Sequence, residues 1–444
     1  YRIVEARASR GMTRADRLPT FDTDGAYQFS RTATSGGFFG QLGGSGGGFG
    51  GIDRSVDSWS WGLNGSWELD FFGRVARLVE AADADLCASV WDYRDALVIL
   101  TADVATNYVD ARAFQRRLAI ARDNLDSQQQ SLDFAEKRYK LDGELAVAQA
   151  GANLATTQAE IPTLETGYRQ SVNRLSILLG RAPGHVDDLL SELGSIPSTN
   201  TEIAVGIPAD LLRRRPDIRM AERRLAAANA RIGVAEADFY PQISIAGSFG
   251  LDAQDLSQIF KSNAVGANVG PAVRWNVMDF GRIAFNIQVQ EARTSQAAAQ
   301  YRDRVIRAAE EVDNGIMAYT RERQRRDFLR DAVDATRRSV DLSLKRYKKE
   351  FISFQPVLDS QRSLLQVEDQ LASSESNVTK NLIQLYRALG GGWEIVDFQE
   401  ATDENGSASE LEVPAVEQIV PMLNDVNNDV NNDVNNELQN DGDD

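Results

Sequence analysis

The two residue types best suited to bond-making chemistry, cysteine and histidine, occur once each. Cys87 is the single cysteine, and His185 is the single histidine, in a Pro-Gly-His loop. One of each excludes a disulfide framework and a cysteine–histidine zinc cage. His185 is also the only histidine a catalytic triad could use, and no nucleophile–base pair or phosphate loop is visible. Spaced Asp and Asn from Asn424 onward could contact Ca²⁺, but the run lacks the glycine and closing Glu of a known cage. The expectation is a protein with no enzymatic activity, no metal, no cofactor and no nucleic-acid partner. The informative residues are instead tryptophans and glycines in repeated places: Trp59, Trp61, Trp67, Trp275, Gly73 and Gly281.

Those residues belong to a duplication. Trp67-Glu68-Leu69-Asp70-Phe71-Phe72-Gly73-Arg74 returns as Trp275-Asn276-Val277-Met278-Asp279-Phe280-Gly281-Arg282, 208 residues later. The same shift carries Lys137-Arg138-Tyr139 onto Lys345-Arg346-Tyr347, and a shift of 210 carries Leu179-Gly180 onto Leu389-Gly390. A repeat this long points to one body made of two halves.

The elements that must position the tryptophans alternate with a period of two. Phe21, Thr23, Gly25, Tyr27 and Phe29 share one face of a first strand. Trp59, Trp61, Leu63, Gly65, Trp67 and Leu69 share one face of a second, against Ser58, Ser60, Gly62, Asn64, Ser66 and Glu68. The second half repeats the hairpin over Gln242–Leu251 and Val265–Val277. Length, alternation and terminal aromatics suit transmembrane β-strands, although a half-buried soluble strand alternates in the same way. Four strands cannot close a membrane barrel, which needs about eight. An open edge in lipid would leave backbone groups unpaired at several kcal/mol each. Strands in a membrane therefore require copies to join.

After each hairpin the sequence reads as helix. Arg74 to Tyr139 contains neither Pro nor Gly, and Arg282 to Lys348 contains only Gly315. Each run predicts a rod of roughly 100 Å. Leu118, Leu125, Leu132 and Tyr139, then Val333, Val340 and Tyr347, recur every seven residues, the spacing of supercoiled packing. Turns at Leu141–Glu144 and Lys349–Ser353 send the chain back through Leu145–Leu179, with a kink expected at Pro162, and through Phe354–Leu389. Each return covers about half a rod. The helix before each hairpin supplies the remainder, since Ala15-Asp16-Arg17-Leu18-Pro19 matches Ala237-Asp238-Phe239-Tyr240-Pro241. Cys87, near the top of the first rod, is expected to be a buried small hydrophobe.

The expected organisation is residues 1–17 as the end of a helix and 18–72 as the first hairpin. Residues 73–180 form the first long and return helices, and 181–216 an outer belt. Residues 217–239 form a helix, 240–280 the second hairpin, and 281–390 the second long and return helices. Residues 391–444 form an acidic tail, expected to be disordered. The formal charge of −17 is misleading: fourteen acidic residues and no basic ones follow from Val396, so the body is nearly neutral. No apolar run reaches the roughly 20 residues of a membrane helix, and residues 1–30 lack the pattern of a secretory signal. Tyr1 lies within a helical stretch, so any export signal or lipid-bearing cysteine is expected upstream.

The chain resembles the TolC-like outer-membrane efflux proteins, the outer-membrane factors of tripartite export pumps, and within them the lipid-anchored NodT-type branch. The resemblance spans about residues 1–395. It rests on Gly206-Ile207-Pro208-Ala209-Asp210-Leu211-Leu212 followed by Arg215-Pro216-Asp217-Ile218, on Phe239-Tyr240-Pro241, and on Asp279-Phe280-Gly281-Arg282. Val357-Leu358-Asp359 near Gln361-Arg362, and Ala388-Leu389-Gly390-Gly391-Gly392-Trp393, complete it. It implies an α+β membrane protein: a homotrimer closing a twelve-stranded β-barrel, four strands per protomer, continuous with a long periplasmic α-helical barrel. It further implies a periplasmic adaptor, an inner-membrane transporter of the RND type and outer-membrane lipid as partners.

The family's gate is held by polar contacts near the second helical turn. The resemblance therefore makes Tyr347, Asp359 and Arg362 the gate candidates. Asp359 and Arg362, three apart on one helix, can pair, and three copies of Asp359 would form an acidic ring. Glu350 stands where many relatives have Gly, Pro356 where they have Asn or Asp, and Gln149 in the place equivalent to Asp359. The Gly36–Gly51 loop is expected outside the cell. The leading expectation is a passive exit duct for small molecules. The alternatives are a duct for type I protein secretion and, from a different class, a coiled-coil surface scaffold or adhesin. Dependence on detergent separates duct from scaffold.

Overall fold

Alternation by two gives way to spacing by seven twice along the chain, and the architecture follows those changes. The computed structural model describes residues 1–31, 55–197 and 214–391. The Gly36–Gly51 loop, the 206–212 motif, Trp393 and the acidic tail lie outside the described residues, as does the side chain of Tyr139. The elements are α1 (Arg2–Ala15), β1 (Thr20–Arg31), β2 (Ser55–Leu69), α2 (Arg74–Lys137) and α3 (Tyr139–Leu178). They continue as α4 (Pro216–Ala237), β3 (Gln242–Ala253), β4 (Val265–Arg274), α5 (Arg282–Lys348) and α6 (Gln355–Ala388). Short 3₁₀ turns at Asp188–Leu190, Leu256–Gln258 and Ser262–Ala264 punctuate the connections. No described helix is long and apolar enough to cross a membrane.

The strands form one antiparallel sheet in the order β1-β2-β3-β4. Its register aligns the alternating sets. Phe21 lies opposite Gly65, Tyr27 opposite Trp59 and Thr23 opposite Leu63. Trp67 lies opposite Ile245 and Leu63 opposite Phe249, and Gly247 opposite Val269. All apolar sets therefore share one face, and Asp22, Asp24, Asn64, Ser248 and Asn268 share the other. A slip of one residue would mix the faces. β4 stops at Arg274, short of the expected Val277. Trp275 lies just past the ladder, where its indole N–H donates to the Phe239 carbonyl (3.0 Å) and its own carbonyl accepts from Val277 N (3.1 Å). Trp67, inside β2, makes the matching bond to the Arg17 carbonyl (2.9 Å). The duplication thus persists at the level of single hydrogen bonds.

The helices pack as rods with companions. α2 is flanked by α1 and α4 along one part and by α3 and α6 along another, while α5 carries α4 and α6. On α5 the buried positions Val312, Tyr319, Val333, Val340 and Tyr347 fall in one seven-residue register, which Arg326 completes with its half-hidden stem. Gly315 does not break α5. A Cβ there would meet Leu385 Cδ1 at 3.2 Å, so the glycine lets α6 approach.

Two local expectations are corrected. Helical dihedrals persist through Pro162, and the break in α3 is at Gly143 (φ 79°). Pro162 is exposed, as is Gln158 one turn earlier, so the carbonyl that loses its partner can face water. α2 closes at Lys137 with Arg138 as its cap, residues 139–142 are again helical, and the break comes at Gly143 within the expected Leu141–Glu144 turn; α6 runs Gln355–Ala388. Cys87 is exposed, because the inward positions around it are Val79, Ala81 and Ala88.

Where α4 begins, it meets the end of α6. The Arg215 guanidinium, nine-tenths buried, forks onto Asp217 (3.0 and 2.9 Å), bonds Glu311 (2.8 Å) and donates to the Ala388 carbonyl (2.7 Å). Gly390 (φ 74°) allows this closure, since a Cβ there would lie 2.9 Å from Arg215 Cα. The described part of the belt is clamped in turn. Arg112 donates to the Glu192 carbonyl (2.6 Å), and Gln115 and Tyr168 donate to that of Leu190 (2.5 and 3.0 Å).

Candidate functional site

Much of both faces of the sheet is open in the protomer, although Leu251 at the end of β3 is buried. Every residue of β1 is exposed, and Val269 on the apolar face is 79% exposed. No described helix covers the band formed by Phe21, Trp61, Trp67, Ile245, Phe249 and Val273. A soluble sheet buries its apolar face, and an exposed patch of this extent needs another apolar medium. The other face carries Asp22, Asp24, Gln28, Asn64 and Asn268 among Ser, Gly and Ala, with Asn64 Nδ2 donating to Asp24 Oδ1 (2.6 Å). Apolar outside and polar inside is the wall of a water-filled barrel. Trp59, Trp61 and Trp67 lie on the apolar face, and Trp275 just past its edge.

The wall joins the rods through a repeated junction. Gly73 (φ 78°) and Gly281 (φ 88°) occupy left-handed conformations immediately before α2 and α5. Ahead of each glycine an aspartate caps the helix. Asp70 accepts from Val75 N (3.0 Å) and Ala76 N (2.7 Å), and Asp279 from Ile283 N (2.7 Å) and Gly281 N (3.1 Å). These backbone donors, Ile283 foremost, hold the Asp279 carboxyl below the usual aspartate value.

At the far end the two hairpins are tied to each other. Tyr347 is 1% exposed in a cluster with Ala135, Ala146, Ala150, Phe354, Val357 and Leu358. The Arg138 guanidinium lies over its ring, 4.8 Å from the centroid, donates to the Tyr347 carbonyl (2.7 Å) and comes within 3.7 Å of Glu350. Asp359 and Arg362 do not pair with each other. Asp359 is exposed and accepts from Gln355 (3.0 Å), while Arg362 Nε reaches Asn153 Oδ1 on α3 (2.8 Å). One helical turn apart was close enough for a pair, but Arg362 lies against α3 and Asp359 faces away.

Further polar ties had no part in the sequence reading. Gln361 donates to Ser131 (2.8 Å), Asn124 to Glu368 (2.9 Å), and Arg337 to the other Glu368 oxygen (2.7 Å). Arg117 forks onto Asp369 (2.5 and 3.1 Å). A signal was present: Arg117, Asn124, Ser131 and Arg138 are spaced by seven, as are Gln361 and Glu368. It is a polar seam running beside the apolar one.

A sheet lined for lipid on one side and water on the other, continuous with rods of roughly 100 Å, defines a protomer of an outer-membrane channel. Comparison with known proteins bears this out: the outer membrane efflux protein model matches residues 1–181 and 207–391. The chain belongs to that family of efflux channels, and its place is the outer membrane, with the helical part in the periplasm. Nodulation protein T of Rhizobium leguminosarum bv. trifolii is 32% identical over 333 residues, covering 74% of this chain and 71% of the relative. The cation efflux system protein CusC of Escherichia coli K12 is 30% identical over 409 residues, covering 88% and 82%. The solved structure of the outer-membrane channel OprN superposes with a TM-score of 0.80 at 32% identity, covering 88% of this chain and 86% of that one.

Proposed function

We propose that three copies join edge to edge into a twelve-stranded barrel, and that the assembly is the exit duct of a three-part efflux pump. In this reading residues 18–72 and 240–280 supply the barrel, and 73–180 and 281–390 supply a tunnel through the periplasm. A periplasmic adaptor and an inner-membrane transporter of the RND type deliver small molecules, and the duct passes them without chemistry of its own. The observation that carries the reading is the sheet itself: an apolar face continuous over four strands, with β1 and β4 each open along one edge. Unpaired edges are not tolerated in lipid. The relatives' names speak of cation efflux in one case and nodulation in another, so the class of cargo stays at small molecules.

Tyr347, Asp359 and Arg362 mark the end that opens. Tyr347 anchors the packing of the second hairpin, Arg362 ties it to α3, and Asp359 alone presents a free-facing carboxylate. Detergent extraction followed by native mass measurement should give three chains, and a monomer in detergent-free buffer overturns the duct. In planar bilayers Asp359→Ala should raise conductance and bring cation and anion permeabilities closer together. Unchanged conductance and selectivity would remove Asp359 from the gate.

A further inference from the structure

The duplication predicts how one copy meets the next. β4 is the repeat of β2 by the 208-residue shift, and β1 is the repeat of β3 by the 222 residues separating Pro19 from Pro241. Within the chain the two shifts can be checked together. They turn the β1–β2 pair Thr20↔Ser66 into Gln242↔Arg274, which is the observed β3–β4 pair. The β2–β3 ladder has no second copy inside the protomer, and its counterpart is β4 against a β1 from elsewhere. Its pairs Asn64↔Ser248, Ser66↔Ala246 and Glu68↔Ser244 then become Ala272↔Ala26, Arg274↔Asp24 and Asn276↔Asp22.

Resting on the trimer proposed above, we infer that β4 of one copy pairs antiparallel with β1 of the next in this register, with Arg274 facing the partner subunit's Asp24. The charges fit. Among the described residues the Arg274 side chain has no hydrogen-bond or ion-pair partner, Asp22 has none either, and Asp24 has only Asn64. Arg274 lines a polar hollow with Arg282, Asn276, Gln242, Tyr240 and Asp238. At the equivalent junction of the first half, Arg74 holds Glu68 by two bonds (2.8 and 2.6 Å). In the second half Asn276 replaces that glutamate, so Arg282 has lost the equivalent carboxylate. A strand carrying Asp22 and Asp24 restores acid to this hollow, and directly opposed unlike charges stabilise a cross-strand pair. The register also keeps the faces continuous, since Val273 meets the partner's Gly25 and Val269 the partner's Phe29. Charge alone would accept Arg274 opposite Asp22, two residues away; the repeat selects Asp24.

Cysteine pairs decide the register. In a full-length Cys87→Ser background, Ala26→Cys with Ala272→Cys should give reducible dimers and trimers on oxidation or with a short bis-thiosulfonate linker. Gln28→Cys or Asp24→Cys, each with Ala272→Cys, tests slips of two residues. Stronger linkage in either slipped pair overturns the register while leaving the trimer intact. A trimer by native mass in which none of the pairs links does the same, and a monomer overturns both. For the ion pair, Arg274→Asp and Asp24→Arg should each lower the temperature at which the trimer falls apart in SDS, and the double exchange should recover most of that loss. A double variant no more stable than the singles overturns the Arg274–Asp24 contact.

Discussion

Arg138 lies across the ring of Tyr347 at 4.8 Å and donates a 2.7 Å hydrogen bond to the same residue's carbonyl. One side chain thereby fixes both the ring and the backbone of the last turn of α5, and it does so from the first hairpin. The two residues come from neighbouring places in the duplicated tripeptide: Arg138 is the central residue of the first copy, and Tyr347 the last of the second.

Replacing Arg138 with Met keeps the stem but removes the cation and its donors. The second hairpin should loosen against the first, with a loss of about 1.5–3 kcal/mol from the charge-assisted bond. Single-channel recording should show more frequent or larger openings, and proteolysis should cut sooner in the 349–354 turn. A closed-channel record identical to that of the parent protein would reduce the contact to packing.

Glu350 occupies a left-handed conformation (φ 66°) at the start of that turn. Such a conformation costs a side-chain-bearing residue roughly 1–2 kcal/mol. Glu350→Gly relieves it while losing only a 3.7 Å approach to Arg138. Because glycine also gains freedom in the unfolded chain, a net gain of up to about 1 kcal/mol is expected, read as a small rise in thermal midpoint. A fall would show that the Glu350 side chain matters more than its backbone.

Arg215 is the reverse case, a buried cation with two carboxylates and a helix-end carbonyl around it. Burial pulls its pKa down and the bond to Asp217 pushes it up, with a net upward shift, so it stays charged. Arg215→Leu leaves Asp217 buried without its partner and should cost about 3–5 kcal/mol. The double change Arg215→Leu with Asp217→Leu should lose much less, which denaturant unfolding of the two variants would show.

Asp95 and Asp279 should move stability in opposite directions with pH. Burial, then repulsion by Asp217, raises the Asp95 pKa above 3.8 despite Arg215, Arg304 and Arg387 nearby. The folded protein thus holds this proton more tightly than the unfolded chain, and stability falls as pH climbs from 3.8 through the folded value. Asp95→Asn should remove that loss and stabilise the protein at neutral pH. Asp279 is lowered by its backbone donors, so its contribution is present above 3.8 and disappears as pH falls through its folded value. Asp279→Ala should flatten the acid limb of a stability-against-pH curve and leave the protein less stable at neutral pH through the lost cap.

The sequence by itself determined the duplication, the four alternating strands, the two long rods and their stops, because each depends on local spacing. Period two marks a strand and spacing by seven in a run without helix breakers marks a rod before any neighbour is known. The union of all apolar sets on one face came with the observed β2–β3 register, in which Trp61 and Leu63 meet Leu251 and Phe249. Only the tertiary structure decided which polar residues met. Asp359 and Arg362 share a helical turn, yet Arg362 bonds Asn153, 209 residues away in sequence. Cys87 looked like filler for a core, but the side of α2 it occupies has none. Arg138 and Tyr347 were visible as parts of a repeated tripeptide, and their contact required two hairpins to be laid side by side. Pairings of this kind depend on the rotation of one rod about its axis relative to another, and a seven-residue spacing fixes the seam without fixing which polar side chain reaches across it.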